Sequence, residues 1–208
     1  MSKLGFHQRN SDEWKRSYIW PKEDVHLWRH LNKKRYGVIV PRTITGYAKK
    51  KGCIIQAGGA CGIYADYYSH YFSKVWTFEP DPDNFYCLKQ NCDLVPEHNI
   101  IAFQCALGSE IGTAYLHNDR KNFGANYIVE NSDIKTRMLT IDNLGIIPDV
   151  IHLDVEGYET NILKGAKETI EKYSPMLVLE TADEDYVIGK LGYTNVGTIG
   201  ADTIFRRL

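Results

Sequence analysis

The chain has 208 residues, enough for one full-sized domain with a substantial core and too few for two ordinary ones. Hydrophobic residues make up 43% and charged residues 25%, a globular balance, and a formal net charge of −1 carries none of the basic field of a nucleic-acid binder. No run approaches the roughly 18 uninterrupted apolar residues of a membrane span, and Met1 to Phe6 lacks the apolar stretch of a secretory signal, so a cytoplasmic protein without membrane or nucleic-acid partners is expected.

Residues 1–20 are polar and aromatic without clear periodicity and read as an irregular arm. Pro21 is expected to open a short helix, with Val25, Trp28 and Leu31 at helical spacing and Gly37 ending it. Trp14, Trp20 and Trp28, three of the four tryptophans, fall in this leader. Such aromatics pack an arm onto its domain, cover a substrate, or form a contact between copies, so a homodimer through the arm is one expectation. His26 and His30 are four apart, but Leu27, Trp28 and Arg29 lie between them and no third ligand is near, so they read as surface residues. Residues 1–49 thus form an arm and helix ahead of a domain at 50–208.

From Gly52 the pattern becomes regular. Cys53 to Ala57 is a short apolar strand, followed by glycines and a helix from about Ile63 to Phe72. Val75 to Phe78 is the next strand, closed by Glu79 and Pro80, and Asp83 to Cys92 is a helix with Phe85, Leu88 and Cys92 on one face. A third strand, Ile100 to Cys105, turns at Gly108; Thr113 to Leu116 adds an extra strand, and Asn118 to Lys135 is a polar, Asn-rich loop. Val150 to Asp154 is a central strand, Glu159 to Tyr173 a helix, and Met176 to Glu180 another strand. Tyr193 to Thr198 and Thr203 to Arg206 make a hairpin turned at Gly200. Alternating strands and helices from 53 to about 190 predict an α/β protein with a mostly parallel, doubly wound sheet, closed by the C-terminal antiparallel pair. The five cysteines are odd in number and lack CxxC spacing, so they read as reduced, buried side chains, and no metal site is expected.

Chemistry concentrates where strands end. Gln56-Ala57-Gly58-Gly59-Ala60-Cys61-Gly62 leaves a strand and enters a helix, and glycines there allow a sharp bend and close approach of a ligand to the main chain. Glu79 ends the following strand roughly 20 residues later, where an acid accepts hydrogen bonds from both hydroxyls of an unphosphorylated ribose. At the end of the central strand stand His152, Asp154, Glu156 and Glu159; alternation puts His152 and Asp154 on one side.

These blocks resemble the FkbM-type methyltransferase family. The resemblance runs through Ile55 to Tyr64, Phe78 to Asn84, Cys105 to Gly108, Leu139 to Leu144, Asp149 to Glu159 with Leu163 to Ala166, and Pro175 to Glu180, in order, over roughly residues 50–208. It implies a Rossmann-like class I methyltransferase fold and S-adenosylmethionine-dependent methyl transfer, commonly to a hydroxyl of a sugar or natural product. Carried over by position, Gly58 and Gly62 line the cofactor, Glu79 binds its ribose, and Ala106 and Leu107 lie beside the adenine. Gln56, Gly59, Ala60 and Pro80 complete that set. Gln56 stands where the family usually has Asp, Gly59-Ala60 where it has Ala-Asn, and His152 where Lys is common. A glutamine cannot neutralise the cofactor's ammonium.

Methyl transfer from a sulfonium is an in-line displacement that needs an aligned nucleophile and a way to remove its proton. Asp154 is the candidate to hold the cofactor's amino group or the acceptor hydroxyl, and His152, with an ordinary pKa near neutrality, is the candidate base. Glu156, Asn126 and Tyr127 are the candidates on the acceptor side. Glu156 and Glu159 can equally oppose a helix dipole, and His152 can be a hydrogen-bonded core residue. Asp154, Glu156 and Glu180 do not by themselves make a Mg²⁺ site. The leading reading is an O-methyltransferase acting on a carbohydrate or small hydroxylated metabolite. A non-catalytic S-adenosylmethionine-binding protein and an NAD-linked oxidoreductase are the alternatives.

Overall fold

A computed structural model describes residues 5–11, 14–31, 37–118 and 122–208, with the side chains of His30 and Leu31 left out. The pairing of His26 with His30 and the helix end at Gly37 therefore reach outside the described residues. In chain order the elements are β1 (Phe6–Ser11), β2 (Arg16–Pro21), α1 (His26–Leu31), α2 (Ile39–Tyr47), β3 (Cys53–Ala57), α3 (Ile63–Ser69), β4 (Lys74–Phe78), α4 (Pro82–Asp93), β5 (Ile100–Phe103), β6 (Ala106–Leu107), β7 (Gly112–His117), β8 (Tyr127–Val129), β9 (Lys135–Leu139), β10 (Val150–Leu153), α5 (Glu159–Lys164), α6 (Lys167–Tyr173), β11 (Met176–Leu179), β12 (Thr194–Ile199) and β13 (Asp202–Arg206).

Seven strands form the central sheet in the order β12-β13-β11-β10-β3-β4-β5. β11, β10, β3, β4 and β5 are parallel, and β13 runs antiparallel to β11 and to β12, turning at Gly200 with φ 62°. Period-two alternation divides the core between the sheet's faces. Ile55, Ile151, Leu153, Leu177 and Leu179 pack with Ile162, Leu163 and Ile170 of α5 and α6. Ile54, Val75, Val150 and Val178 pack with Ile44 of α2, Tyr68 of α3 and Phe72 just beyond α3. By the same parity Gln56, Thr77 and His152, aligned across β3, β4 and β10, face α3.

The departures from expectation have local causes. The arm is a β-hairpin, Phe6 opposite Pro21 and Ser11 opposite Arg16, so Pro21 ends a strand instead of opening a helix. The hairpin is tied to α4 by Asn91, whose side chain exchanges hydrogen bonds with the Ile19 backbone at 2.7 and 3.0 Å. α2 is hidden in the sequence by its β-branched residues, Gly46, and a Pro41 that sits harmlessly in the first turn. The single helix expected over 159–173 breaks at Gly165, where a Cβ would come 2.0 Å from the Gly108 carbonyl. The polar loop contains β8, which joins β7, β9 and β6 in a second sheet of four strands.

Candidate functional site

The bend after β3 is fixed by backbone packing. Gly58 has φ +83°, and a Cβ there would lie 1.8 Å from the Asp154 carbonyl oxygen, so only glycine lets the turn lean on the end of β10. The Gly58 and Gly59 amides both donate to the Phe78 carbonyl, at 3.1 and 3.0 Å, which ties the same turn to the end of β4. Ala60 follows with φ 43°, in the left-handed region where Asn would sit more easily. Its amide donates to Glu79 Oε2 at 2.7 Å, and the Asp81 amide donates to Oε1 at 2.8 Å. Asp81 then caps α4, accepting from the Asp83 and Asn84 amides at 2.9 Å each.

Glu79 is buried, and burial, then the nearby Asp81 carboxylate, push its carboxyl up to about 8 against the backbone bonds from Asp81 and Ala60. It does not face packed side chains. A cleft opens beside it, walled by Gly58, Ala60, Glu79, Pro80, Ala106, Leu107, Asn126, Tyr127 and Asp154. A second cavity adjoins on the side of α3, bordered by Gln56, Gly59, Cys61 and Tyr64. A third is bordered by His26, Arg29, Asn122, Glu156 and Glu180. Asp154 lines all three. The glycine turn and the strand-end acid therefore border one open space.

Two residues fall elsewhere. Gly62, φ +87°, borders none of these cavities and instead brings α3 against Leu88 of α4, 3.3 Å from where its Cβ would be. His152 is fully buried behind Tyr64, with Nδ1 at 2.9 Å from the Tyr68 hydroxyl and Nε2 at 3.4 Å from Asp202. Both ring nitrogens have core partners, so the expectation of a base at His152 is corrected to that of a core histidine. The same alternation that aligns it with Asp154 points it under α3, two residues before the strand reaches the cleft. Gln56 is also engaged internally: it accepts from Thr77 Oγ1 at 3.1 Å, and its Nε2 lies 3.4 Å from the Gly58 carbonyl.

Burial holds the Asp154 carboxyl well above the usual carboxylate range, reinforced by the Glu180 carboxylate, a hydrogen bond with it, and the charges of Asp202 and Glu156. Glu156 is raised more gently, by partial burial and then by Glu180 and Glu159. Glu156 and Gly157 occupy consecutive left-handed conformations, φ 54° and 93°, in the turn between β10 and α5. Glu159 is buried, accepts from the Val155 amide at 3.2 Å, and closes that turn, which is the structural of its two expected roles. Among the described residues no three His, Cys, Asp or Glu side chains gather to hold a metal ion.

The leader, whose tryptophans the sequence offered as a cover for substrate, also supplies residues that sequence reasoning missed, Leu27 and Asp24. Leu27 of α1 borders all three cavities, and Trp20 borders the second. Asp24 holds this corner: its carboxylate accepts from Trp20 Nε1 at 2.7 Å, from the Leu27 and Trp28 amides at 3.2 and 2.9 Å, and from the Phe123 amide at 3.3 Å. Asn84 secures the opposite side, donating to the Phe123 carbonyl at 2.7 Å. An acid four residues after Trp20 and just ahead of a helix was the available signal for the first; nothing local marked the second. No helix of the described residues is long and apolar enough to cross a membrane.

Against known proteins, the family model described as Methyltransferase FkbM domain matches residues 57–191. A protein of Beauveria bassiana (strain ARSEF 2860) named Methyltransferase 1 is 25% identical over 160 residues, 62% of this chain and 64% of that one. The chain thus spans under two thirds of that relative. Among solved structures, methyltransferase FkbM from Methylobacillus flagellatus KT superposes with a TM-score of 0.56 at 20% identity, over 77% of this chain and 44% of the other. TYW2 of M. jannaschii, solved in complex with AdoMet, gives 0.55 at 11% identity, over 100% of this chain and 89% of the other. These likenesses establish the fold, a Rossmann-like class I methyltransferase sheet.

Proposed function

On the premise that the chain belongs to the methyltransferase FkbM family, we propose that it is an S-adenosylmethionine-dependent methyltransferase that methylates a hydroxyl of a sugar or small hydroxylated metabolite. One observation carries this reading: a buried carboxylate, Glu79, and the Gly58 turn border the same open cleft. Each Glu79 oxygen accepts one backbone bond and the Asn84 side chain also bonds this carboxylate, whose remaining acceptor capacity serves a ribose diol. Ala106, Leu107, Leu116, Phe123 and Ile128 offer an apolar slot for a flat base. The residues present fit the cofactor, with Gln56 the one weak position.

When bound, S-adenosylmethionine supplies an electrophilic methyl group on a sulfonium. Asp154, at the junction of the three cavities, is suited to hold the ammonium end and to orient the acceptor. Glu180 borders the third cavity beside Asp154, and its carboxylate is placed to take the acceptor's hydroxyl proton. Arg29, His26 and Glu156 line the third cavity, where alternating charge suits a polyhydroxyl acceptor better than a nucleic acid, in keeping with a net charge of −1. Five free cysteines accord with a reducing, cytoplasmic setting.

Calorimetric titration with S-adenosylmethionine, S-adenosylhomocysteine and NAD, followed by a labelled-methyl screen across sugars and small alcohols, tests the proposal. Binding of NAD alone would overturn it. Binding of the methyl donor without transfer to any acceptor would favour a non-catalytic binding protein.

A further inference from the structure

The main cleft is lined by an unexplained polar group, the Asn126 side chain. Its Oδ1 and Nδ2 are both buried, and neither has a hydrogen-bond partner. Asn99 and Asn118 each leave one oxygen unpaired, but their amide nitrogens are bonded. Asn126 thus stands apart among the described residues: both ends of its amide are unmet, and it lines a cavity. A buried amide without partners is costly, so a site that keeps one is built for something that arrives later.

A loose loop does not account for it. Phe123, three residues earlier, is fixed by Asp24 and by Asn84, and the Ala125 amide donates to the Asn122 carbonyl at 3.0 Å. Tyr127, the next residue, is already paired with His117 across β7 and β8. The amide is therefore held on both sides and lines the same cavity as Ala106, Leu107, Leu116, Phe123 and Ile128. That slot accepts a flat, largely apolar ring with a polar rim. An asparagine amide presents one donor and one acceptor side by side, the complement of an exocyclic amino group next to a ring nitrogen.

We propose that Asn126 reads the adenine edge of the methyl donor, its Oδ1 accepting from the 6-amino group and its Nδ2 donating to the neighbouring ring nitrogen. This moves Asn126 from the acceptor side, where the sequence placed it, to the cofactor side, and it rests on the methyl-donor reading of the cleft. Asn126 becomes a specificity residue for the base, while Glu79 serves the sugar.

The test is a thermodynamic cycle between side chain and ligand. S-adenosylhomocysteine and its analogue carrying purine without the 6-amino group are titrated calorimetrically against wild type, Asn126→Leu and the near-isosteric Asn126→Asp. Wild type is expected to lose about 10-fold in affinity when the amino group is removed. Asn126→Leu is expected to bind S-adenosylhomocysteine about 10- to 100-fold more weakly and to ignore the amino group. Because no hydrogen bond is lost in the free protein, its melting temperature should not fall, whereas a structural role would lower it. Asn126→Asp keeps the shape and the amino contact but loses the donor, and carries the cycle should the leucine variant not fold. An equal penalty for the missing amino group in wild type and Asn126→Leu, or S-adenosylhomocysteine bound as tightly by Asn126→Asp as by wild type, overturns this assignment alone. Failure of wild type to bind S-adenosylhomocysteine overturns it together with the reading of the cleft.

Discussion

Replacing Glu79 with alanine is the most direct perturbation of the cleft. Two charge-assisted bonds from a ribose diol to this carboxylate contribute about 3–5 kcal/mol together. Against that stands the proton. With the carboxyl pushed up to about 8 in the free protein, ionising it at pH 7 costs about 1.4 kcal/mol. The net loss on substitution is therefore about 2–4 kcal/mol, a 30- to 1000-fold weakening of S-adenosylhomocysteine binding by calorimetry at pH 7. The same proton gives a signature that truncation alone does not. Wild-type affinity should rise as pH climbs from 6.5 through about 8 and then level off, with proton release visible as a dependence of the binding enthalpy on the buffer. Glu79→Gln should flatten that profile. Stability runs the other way. The folded protein holds a proton that the unfolded chain releases above its ordinary 4.5, so this contribution is full below that pH and is lost as pH rises through about 8. The raised Asp154 acts in the same direction. The free protein should thus melt lower at pH 8.5 than at pH 5.5, while the complex, in which Glu79 is already ionised, should show much less change over that window. Affinity for the alanine variant within twofold of wild type, or a flat wild-type profile, would refute the reasoning.

Other substitutions probe the supports. Gly58→Ala sets a Cβ 1.8 Å from the Asp154 carbonyl at a left-handed φ, and is expected to remove about 3 kcal/mol or more of stability in urea denaturation. Asp24→Ala strands the Trp20 indole and three backbone amides; a loss of about 3 kcal/mol and faster proteolysis ahead of residue 37 are expected, with weaker S-adenosylhomocysteine binding as Leu27 leaves the wall. His152→Ala leaves Tyr68 and Asp202 facing a void, so the melting temperature should fall while transfer per folded molecule holds. A drop in kcat at unchanged stability would restore His152 as the base.

The parts of this protein that were legible in its sequence are those governed by short-range rules. Hydrophobic runs of four or five residues bounded by glycine or acid gave the central strands, and β3 and β4 with the turn and Glu79 between them could be located to within a residue or two. Residues from Gln56 to Leu107 that were expected at the methyl donor do line one cleft, except Gly62, whose glycine serves helix packing, and Gln56 and Gly59, which border the neighbouring cavity. What was not legible depends on distant partners. Nothing near Phe6 or Arg16 announces a hairpin, because its stabilising contacts, Asn91 and Asp66, lie in α4 and α3. His152 and Asp154 share a strand face, and only the position of Tyr64 and Tyr68 above the sheet separates the buried one from the one that reaches the cleft. Asn126 stood out in the sequence as an acceptor-side candidate, but that both ends of its amide are buried without partners depends on the fold around it.

Gln56 poses the remaining question of charge. An aspartate there would set a negative group on the α3 face of β3, one register step from His152 and Thr77. Here the amide is instead locked to Thr77, and the negative charge available to a cationic ligand lies across the cavity with Asp154, backed by Glu180 and Glu156. Burial first, and then the like charges packed around it, raise Asp154; a bound ammonium would favour its charged form and release the proton. The acidic cluster at the end of β10 is therefore less a liability of the free protein than a store of electrostatic strain that a positively charged methyl donor discharges. On this reasoning the loss of an acid at position 56 shifts the cation's counter-charge to the neighbouring strand without removing it from the cleft.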